Sequence, residues 1–527
     1  MIHGASRSFF FGRHKLKQQQ QYSYLQTTDI PNGTNGKINI MSNDIGLYGL
    51  AVMGQNFALN MADHGFKVAV CNRSPSKVDT TVERAKNEGD LPITGYKDPE
   101  EFVKSLSKPR KIVILVQAGK PVDSTIETLS QFMEEGDVII DGGNEWFPNS
   151  IRRGEDLEKK GILFIGMGIS GGEEGARNGP SLMPGGQKEA YDLIEPILMK
   201  CAAQVDGEAC TGYCGPIGAG NYVKMVHNGI EYGDMQLISE VYDILKNICG
   251  MSNTEMADLF DEWNKGELES YLIEITAKVL RKADDQGKEG EVVDYILDKT
   301  GMKGTGRWTV QEAAEQSVAA PTIAAALDAR YLSGRKRERE DAEQILEGPK
   351  DKPNVDKNQV VKDLQEALYC SKIVSYAQGL SIIKAASDKN GWNVDLALCA
   401  RMWRGGCIIR ARLLKGISDA VAKNDELKNL MVDAGFAEEL NSRQMAWRRI
   451  VTLGISHGIS VPSTSASLGY YDQYRRSRLP ANLVQAQRDF FGGHTYERTD
   501  MEGTFHTLWD ASHKDIGDLT GRTAGEL

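Results

Sequence analysis

A chain of 527 residues with 62 Lys and Arg against 73 Asp and Glu carries a formal charge of −11, which argues against a nucleic-acid binder. Its 40% apolar and 26% charged residues are the composition of a globular protein, and its length calls for two or three domains rather than one core. It has no run of about 18 apolar residues, so no membrane-spanning helix is expected.

Residues 1–40 differ from the rest. Arg7, Arg13, Lys15 and Lys17 all precede the first acid, Asp29, and an aromatic run (Phe9 to Phe11) and a Gln18–Gln21 run lie among them. This acid-poor, basic stretch fits a transit peptide as well as an unstructured extension. The expected address is cytoplasmic, or plastid or mitochondrion if these residues target the chain.

From Asn43 the pattern becomes strand, Gly-rich turn, helix. A strand over Ile45–Tyr48 leads into the turn Gly49-Leu50-Ala51-Val52-Met53-Gly54, a helix from Asn56 to His64, and a second strand over Lys67–Cys71. Apolar runs at Lys111–Val116, Val138–Ile140 and Ile162–Ile165 continue the alternation, which predicts a parallel sheet with helices on both faces. Beyond about Gly218 the strand signals stop, and amphipathic helical stretches run to about residue 470. This half repeats itself. Asn253-Thr-Glu-Met-Ala is followed ten residues after its Asn by Trp263, and Asn393-Val-Asp-Leu-Ala by Trp403 at the same spacing, two of only seven tryptophans. Gly334 to Asn358 is highly charged and reads as an exposed connector. The expected architecture is a Rossmann-type doubly wound α/β domain (41–218), a large all-α domain with an internal duplication (219–475) and a C-terminal tail (476–527), after the extension (1–40).

Three motifs carry chemistry. Gly49-x-Ala51-x-x-Gly54, between a strand and a helix, is a dinucleotide turn whose small residues let the backbone approach a pyrophosphate at a helix N-terminus. At the end of the second strand, where an NAD site places an acid for the ribose hydroxyl, stand Asn72, Arg73 and Ser74. An amide, a guanidinium fork and a hydroxyl suit a 2′-phosphate, so NADP is the expected cofactor. Ser170-Gly171-Gly172 follows a strand ending at Ile169, where open α/β sheets bind ligands, and its amides and hydroxyl suit a carboxylate.

A fourth motif is the most informative. Lys224, His227, Asn228 and Glu231 occupy positions i, i+3, i+4 and i+7, one face of a helix. Val226 and Ile230 lie on other faces. A base and an acid about two turns apart are what proton transfer at two nearby carbons needs. Lys303 in a Gly-rich loop, Arg330 on an apolar helix, and Arg488 with His494 in the tail are candidate phosphate ligands. The eight cysteines are scattered and lack metal-ligand spacing, so reduced thiols and metal-free chemistry are expected.

Together these strings resemble 6-phosphogluconate dehydrogenase (decarboxylating) over roughly residues 43 to 511. Gly-Leu-Ala-Val-Met-Gly-Gln-Asn (49–56), Asp-Gly-Gly-Asn (141–144), Ser-Gly-Gly-Glu-Glu-Gly-Ala-Arg (170–177), Val-Lys-Met-Val-His-Asn-Gly-Ile-Glu-Tyr (223–232), Lys-Gly-Thr-Gly-Arg-Trp (303–308) and Arg-Asp-Phe-Phe-Gly-Gly-His-Thr-Tyr (488–496) carry the resemblance. It implies Lys224 as general base and Glu231 as general acid. It implies Ser170, Gly171, Gly172, His227 and Asn228 as ligands of the substrate carboxylate and hydroxyls, and Tyr232, Lys303 and Arg330 as phosphate ligands. Asn144 is implied as a contact shared by cofactor and substrate, and Val116, Gln117 and Ala118 as cofactor neighbours. Arg488 and His494 match tail residues that reach a partner subunit's site, which implies a homodimer. Two positions depart from the family pattern: Gln117 stands where Lys is common, and Met302 where a polar residue is usual.

The activity so implied is conversion of 6-phospho-D-gluconate to ribulose 5-phosphate and CO₂ with NADP, a step of the oxidative pentose phosphate pathway. Two alternatives stand beside it. Another β-hydroxyacid dehydrogenase would act on a smaller acid and would not need Lys303, Arg330 and Arg488. An inactive NADP-binding scaffold would not need Lys224 and Glu231.

Overall fold

Seven short strands, six of them mutually parallel, build the sheet that carries the first half of the chain. In the computed structural model, which describes residues 42–350 and 354–509, the elements run β1 (Ile45–Tyr48), α1 (Val52–Asp63), β2 (Val68–Cys71), α2 (Pro75–Asn87), β3 (Ile93–Tyr96), α3 (Pro99–Lys104), β4 (Lys111–Ile114), α4 (Lys120–Ser130), β5 (Val138–Asp141), α5 (Phe147–Glu158), β6 (Leu163–Ser170), α6 (Gly172–Asn178), β7 (Ser181–Gly186) and α7 (Lys188–Cys201). A small hairpin, β8 (Gln204–Val205) with β9 (Glu208–Ala209), follows. The strand order is β3-β2-β1-β4-β5-β6-β7. The central strands β2, β4 and β5 are almost wholly buried, as expected for apolar runs covered by helices on both faces.

Two expectations need correction here. The last strand, β7, is antiparallel to β6, pairing Ile165 with Gly186 and Ser170 with Ser181. Only α6 and a short turn join the two, and a parallel return takes a crossover of a dozen or more residues. The first helix starts at Val52, not Asn56, so Val52, Met53 and Gly54 form its first turn rather than a loop ahead of it. The strand β3 escaped sequence reading because Ile93-Thr94-Gly95-Tyr96 is a partly exposed edge strand with little apolar signal.

The second half is helical: α8 (Ala219–Asn247), α9 (Asn253–Trp263), α10 (Tyr271–Arg281), α11 (Thr305–Glu315), α12 (Pro321–Ser333), α13 (Lys336–Glu343), α14 (Lys357–Asn390), α15 (Leu396–Met402), α16 (Leu413–Lys423), α17 (Ala434–Ser456) and α18 (Pro462–Tyr474). Two long helices, α8 and α14, each precede two short ones and then a pair. The details repeat as well as the order. Both α12 and α18 open with Pro, behind Ala320 and Val461 at nearly the same backbone angles (φ −133°, ψ 55° and φ −126°, ψ 55°). Glu240 of α8 accepts from the Ser463 and Thr464 amides of α18, and Gln378 of α14 accepts from the Thr322 amide of α12. Each lies 21 residues after the first residue of its long helix, Ala219 or Lys357. Trp263 and Trp403 are both buried, at corresponding places beside α9 and α15.

The tail forms α19 (Ala481–Gly492) and a hairpin of β10 (Tyr496–Glu497) with β11 (Thr504–Phe505). Asp489, fully buried, ties it together by accepting from the Thr495 and Thr507 amides, His506 Nδ1 and Trp509 Nε1 at 2.9–3.0 Å. Leu483, Val484 and Phe491 remain exposed on α19. The expected extension (1–40) and the end of the expected tail lie outside the described residues.

Candidate active site

The first cleft opens at the C-terminal ends of β1, β2 and β4, where the strand order reverses between β1 and β4. Of about 640 Å³, it is lined by Gly49, Leu50, Ala51, Asn72, Arg73, Ser74, Val116 and Gln117, and also by Lys77, Lys120 and Thr128. Among the described residues no acid lines it, while Arg73, Lys77 and Lys120 do. The turn itself is locked. Gly49 has φ +108°, and a Cβ on Gly54 would overlap the Gly49 carbonyl oxygen. Asn72 Oδ1 accepts from the Leu50 amide at 2.9 Å, which spans β1 and β2 and fixes the turn. Ala51, the N-cap of α1, offers no side-chain cap, so the first amides of that helix are left for a ligand. A polyanion with two phosphate groups fits this donor set. Val52 is exposed, and Met53 and Ala118 are partly buried. Lys77 and Lys120 were missed in the sequence, although Lys77 stands four residues after Arg73.

A buried ionic cluster stiffens the neighbouring loops. Arg153, 2% exposed, pairs with Asp141 (3.2 Å), Glu145 (2.6 Å) and Asp123 (2.8 Å), and Glu145 also accepts from the Gly119 amide at 2.7 Å. Burial pushes the Asp141 carboxyl up to about 6, against the pull of Arg153. The cluster joins the loop carrying Gln117 and Ala118 to the loop carrying the exposed Asn144.

The second cluster lies on α8, where that helix crosses β6. Lys224 is 4% exposed and His227 wholly buried. Lys224 reaches this depth because residue 168 of β6 is glycine; a methyl there would overlap Lys224 Cβ and lie 2.6 Å from its Cγ. Asn228 Oδ1 accepts from Lys224 Nζ and His227 Nδ1, each at 2.9 Å, while Asn228 Nδ2 donates to Thr305 Oγ1 at 3.1 Å. With the amide so oriented, the imidazole proton sits on Nδ1, and Nε2 faces Ser170 Oγ at 3.4 Å as an acceptor. Trp403 packs edge-on against the same ring, centroids 5.8 Å apart.

Burial sets the electrostatics. It lowers Lys224 to about 8, opposed by the nearby Glu231. It pushes His227 well below its ordinary range, helped by Lys224, so the imidazole is neutral. It raises Glu231, while Lys224, Arg330 and Lys303 pull the other way. Cys407, from the loop after α15, lies close enough to feel Lys224, and burial raises its thiol to about 12.

Basic groups gather beyond Glu231. Arg330 stacks on the Tyr232 ring, 3.5 Å from its centroid, and donates to the Gly301 carbonyl at 3.2 Å. Lys303 is exposed on the loop that Gly304 (φ +102°) turns into α11. Met302 beside it is also exposed. The fold therefore brings together Ser170, Lys224, His227, Asn228, Glu231, Tyr232, Lys303 and Arg330. Gly171 (φ +111°) and Gly172 (φ +62°) make the turn that continues Ser170 into α6. Arg488 and His494 stay with their own tail: Arg488 donates to Gln485, and His494 packs against Phe491. Sequence reading missed Thr305, Trp403 and Cys407, which only the fold brings to Asn228, His227 and Lys224 respectively. Among the described residues no group of three or more His, Cys, Asp and Glu is placed to hold a metal ion, and no helix is long and apolar enough to cross a membrane. All eight cysteines are buried and unpaired.

Known families and proteins match this chain over most of its length. Residues 44–215 match the family model described as the NAD binding domain of 6-phosphogluconate dehydrogenase, and residues 220–509 match that of the 6-phosphogluconate dehydrogenase C-terminal domain. The chain is 59% identical to a chloroplastic decarboxylating 6-phosphogluconate dehydrogenase of Spinacia oleracea, over 92% of each protein. It is 52% identical to the NADP(+)-dependent, decarboxylating enzyme of Bacillus subtilis, over 88% of this chain and 98% of the relative. Among solved structures, Plasmodium falciparum 6-phosphogluconate dehydrogenase, described in its apo form and with NADP+ or 6-phosphogluconate, superposes with a TM-score of 0.86 at 50% identity, over 88% of this chain and all of that one.

Proposed function

The chain belongs to the 6-phosphogluconate dehydrogenase family, and from that premise we propose how its own residues carry out the NADP-dependent oxidative decarboxylation of 6-phospho-D-gluconate to ribulose 5-phosphate and CO₂. The observation that carries the reading is a lysine held near pKa 8 on the same helix face as a carboxyl raised by burial. A lysine in water, near 10.4, is too rarely neutral to act as a base; one near 8 is available.

The Gly49–Gly54 turn and the first amides of α1 hold the cofactor pyrophosphate, and Asn72, Arg73, Ser74 and Lys77 hold the 2′-phosphate. Val116, Gln117, Ala118 and Asn144 border the same ligand. The bound NADP supplies one thing, an acceptor for the hydride that leaves C3. Neutral Lys224 takes the C3 hydroxyl proton as that hydride departs. His227, neutral and donating through Nδ1 to Asn228, keeps Nε2 as an acceptor beside Ser170 Oγ, where it orients a substrate hydroxyl. Ser170 and the Gly171–Gly172 amides hold the C1 carboxylate, while Tyr232, Lys303 and Arg330 hold the phosphate.

The 3-keto acid so formed has a carbonyl β to its carboxylate. The C1–C2 bonding pair moves into that carbonyl as CO₂ leaves, and protonated Lys224 stabilises the enolate oxygen. Glu231 then delivers its proton to the former C2, which becomes C1 of ribulose 5-phosphate, as the enediol hydroxyl proton returns to Lys224. Arg488 and His494 complete the phosphate site of a second copy, which makes the homodimer the working unit. In support, neither residue contacts the Lys224 cluster of its own chain, and the helix bearing Arg488 exposes Leu483, Val484 and Phe491.

A plastid address would rest on residues 1–40. The relatives include chloroplastic proteins and others not so labelled, and a fluorescent fusion with and without this segment decides between plastid and cytosol. For the chemistry, purified protein given 6-phosphogluconate and NADP should release NADPH and CO₂ in equal amounts. Turnover of non-phosphorylated 3-hydroxy acids in preference would overturn the substrate assignment, and NADPH without CO₂ the decarboxylation.

A further inference from the structure

One buried ion pair near the site has no part in these steps. Lys372 Nζ of α14 lies 2.5 Å from Asp234 Oδ2 of α8, and the two side chains are 2% and 1% exposed. Tyr376 OH sits 3.5 Å from the same oxygen and donates to the Ile409 carbonyl. Asp234 Oδ1 has no hydrogen-bond partner among the described residues. Buried carboxylate oxygens normally have one, so this one calls for an explanation.

The pair occupies a special place. Asp234 lies 15 residues after Ala219, and Lys372 lies 15 after Lys357, so each is the counterpart of the other in the duplicated long helices. It marks the point where those helices cross. The crossing is close: a Cβ on Gly233 would come 2.5 Å from Ser375 Oγ. Asp234 also stands three residues after Glu231, and such pairs are neighbours on one helix face. Because Asp234 is almost wholly buried, its charge acts at short range with little screening.

We propose that Asp234 is a positioning residue whose buried negative charge, anchored by Lys372, holds the proton on Glu231 until the enediol carbon left by CO₂ takes it. The inference rests on the reading of Glu231 as the acid. The groups facing Glu231 are Lys224 and Asp234 on its own helix, Arg330 from α12, Lys303 from the loop before α11 and the neutral thiol of Cys407. Those facing Asp234 from α14 are Lys372 and Tyr376, which favour its charged form while burial pushes its carboxyl up. Three of these are cations that favour the ionised carboxyl. Besides burial, Asp234 alone among Glu231's charged neighbours pulls toward the protonated form. Its unpartnered Oδ1 fits this role, because a donor there would spread the charge away from Glu231.

Lys224 and Glu231 titrate as a coupled pair, and the form that turns over carries one proton between them. The profile of kcat against pH is then a bell. Its acid limb belongs mainly to Glu231 and its alkaline limb mainly to Lys224. Asp234→Asn should move the acid limb toward lower pH by about half to one unit, lower the maximum and leave the alkaline limb in place. Because that variant leaves Lys372 buried without a partner, the Asp234→Leu/Lys372→Met double variant, which removes both charges at similar volume, is the second arm. Its acid limb should fall between those of the unaltered enzyme and the single variant. A merely structural pair would lower thermal stability while both limbs stay put, and that result would overturn the proposal. Glu231→Gln is the control, since it should abolish the alkaline fall. Survival of that fall would defeat the assignment of Glu231 as acid and this inference with it. Its loss, together with unmoved acid limbs in both Asp234 variants, would defeat this inference alone.

Discussion

Gly168→Ala is the most economical test of how the base is placed. The change adds one methyl to β6, in a strand that accepts alanine without backbone strain, since Gly168 is not among the positive-φ residues. That methyl overlaps Lys224 Cβ and lies 2.6 Å from Cγ, so the atoms in the way are the root of the lysine and not its mobile end. Rotating χ angles cannot relieve the clash, so β6 and α8 must part by a few tenths of an ångström or more. Overpacking of this kind costs about 1–3 kcal/mol in stability. The effect on turnover is larger in kind, because a reacting group displaced by about 1 Å loses roughly 10²-fold in rate, or about 2.7 kcal/mol of barrier. The cofactor cleft, bordered by β1, β2 and β4, is untouched. The expected outcome is a fall in kcat of about one to two orders of magnitude, a KM for NADP within about twofold, and a melting temperature lower by a few degrees. Steady-state kinetics beside a thermal melt check all three. A folded Gly168→Ala enzyme with near-normal kcat would refute the claim that tight packing on β6 sets the position of Lys224.

Three further outcomes follow from the same geometry. Lys224→Met should lose NADPH formation and CO₂ release together, whereas Glu231→Gln should keep its affinity for 6-phosphogluconate and replace the bell-shaped pH profile by a single rise. With the carboxylate gone, only Lys224 has to lose its proton, and the group that raised its pKa is missing, so the rise should be centred below about 8. Arg73→Ala should raise KM for NADP about tenfold, the lower end of what charge-assisted hydrogen bonds contribute, because Lys77 and Lys120 remain in the cleft; equal kcat/KM for NAD and NADP in the unaltered enzyme would refute the role given to Arg73. A chain ending before Arg478 should bind NADP but not turn over 6-phosphogluconate, and mixed dimers of Arg488→Ala with Lys224→Met chains should regain activity, since one of their two sites is intact; verified mixed dimers without recovery would mean that the tail serves its own subunit.

Much of this protein was legible before folding because its signals are local. The face Lys224, His227, Asn228, Glu231 follows from the helical repeat alone, and the first three of those side chains do meet, through the Asn228 amide, within one turn. The turn Gly49 to Gly54 and the absence of an acid beside Arg73 name the cofactor from contiguous residues. The repeated Asn and Trp blocks announce the duplication that α8 and α14 display. What the residues in line could not specify is environment. Lys224 is buried, and burial lowers its ammonium pKa, because β6 at Gly168 and the loop after α15 at Cys407 close around it, from opposite directions in the chain. The antiparallel β7, the lysines Lys77 and Lys120 in the cleft, and the pairing of Asp234 with Lys372 across 138 residues likewise depend on packing. Periodicity along a chain reports which side chains share a face, because helix and strand geometry repeat from residue to residue. The dielectric around a charge is made by whatever segments exclude water from it, and here those segments come from distant parts of the sequence.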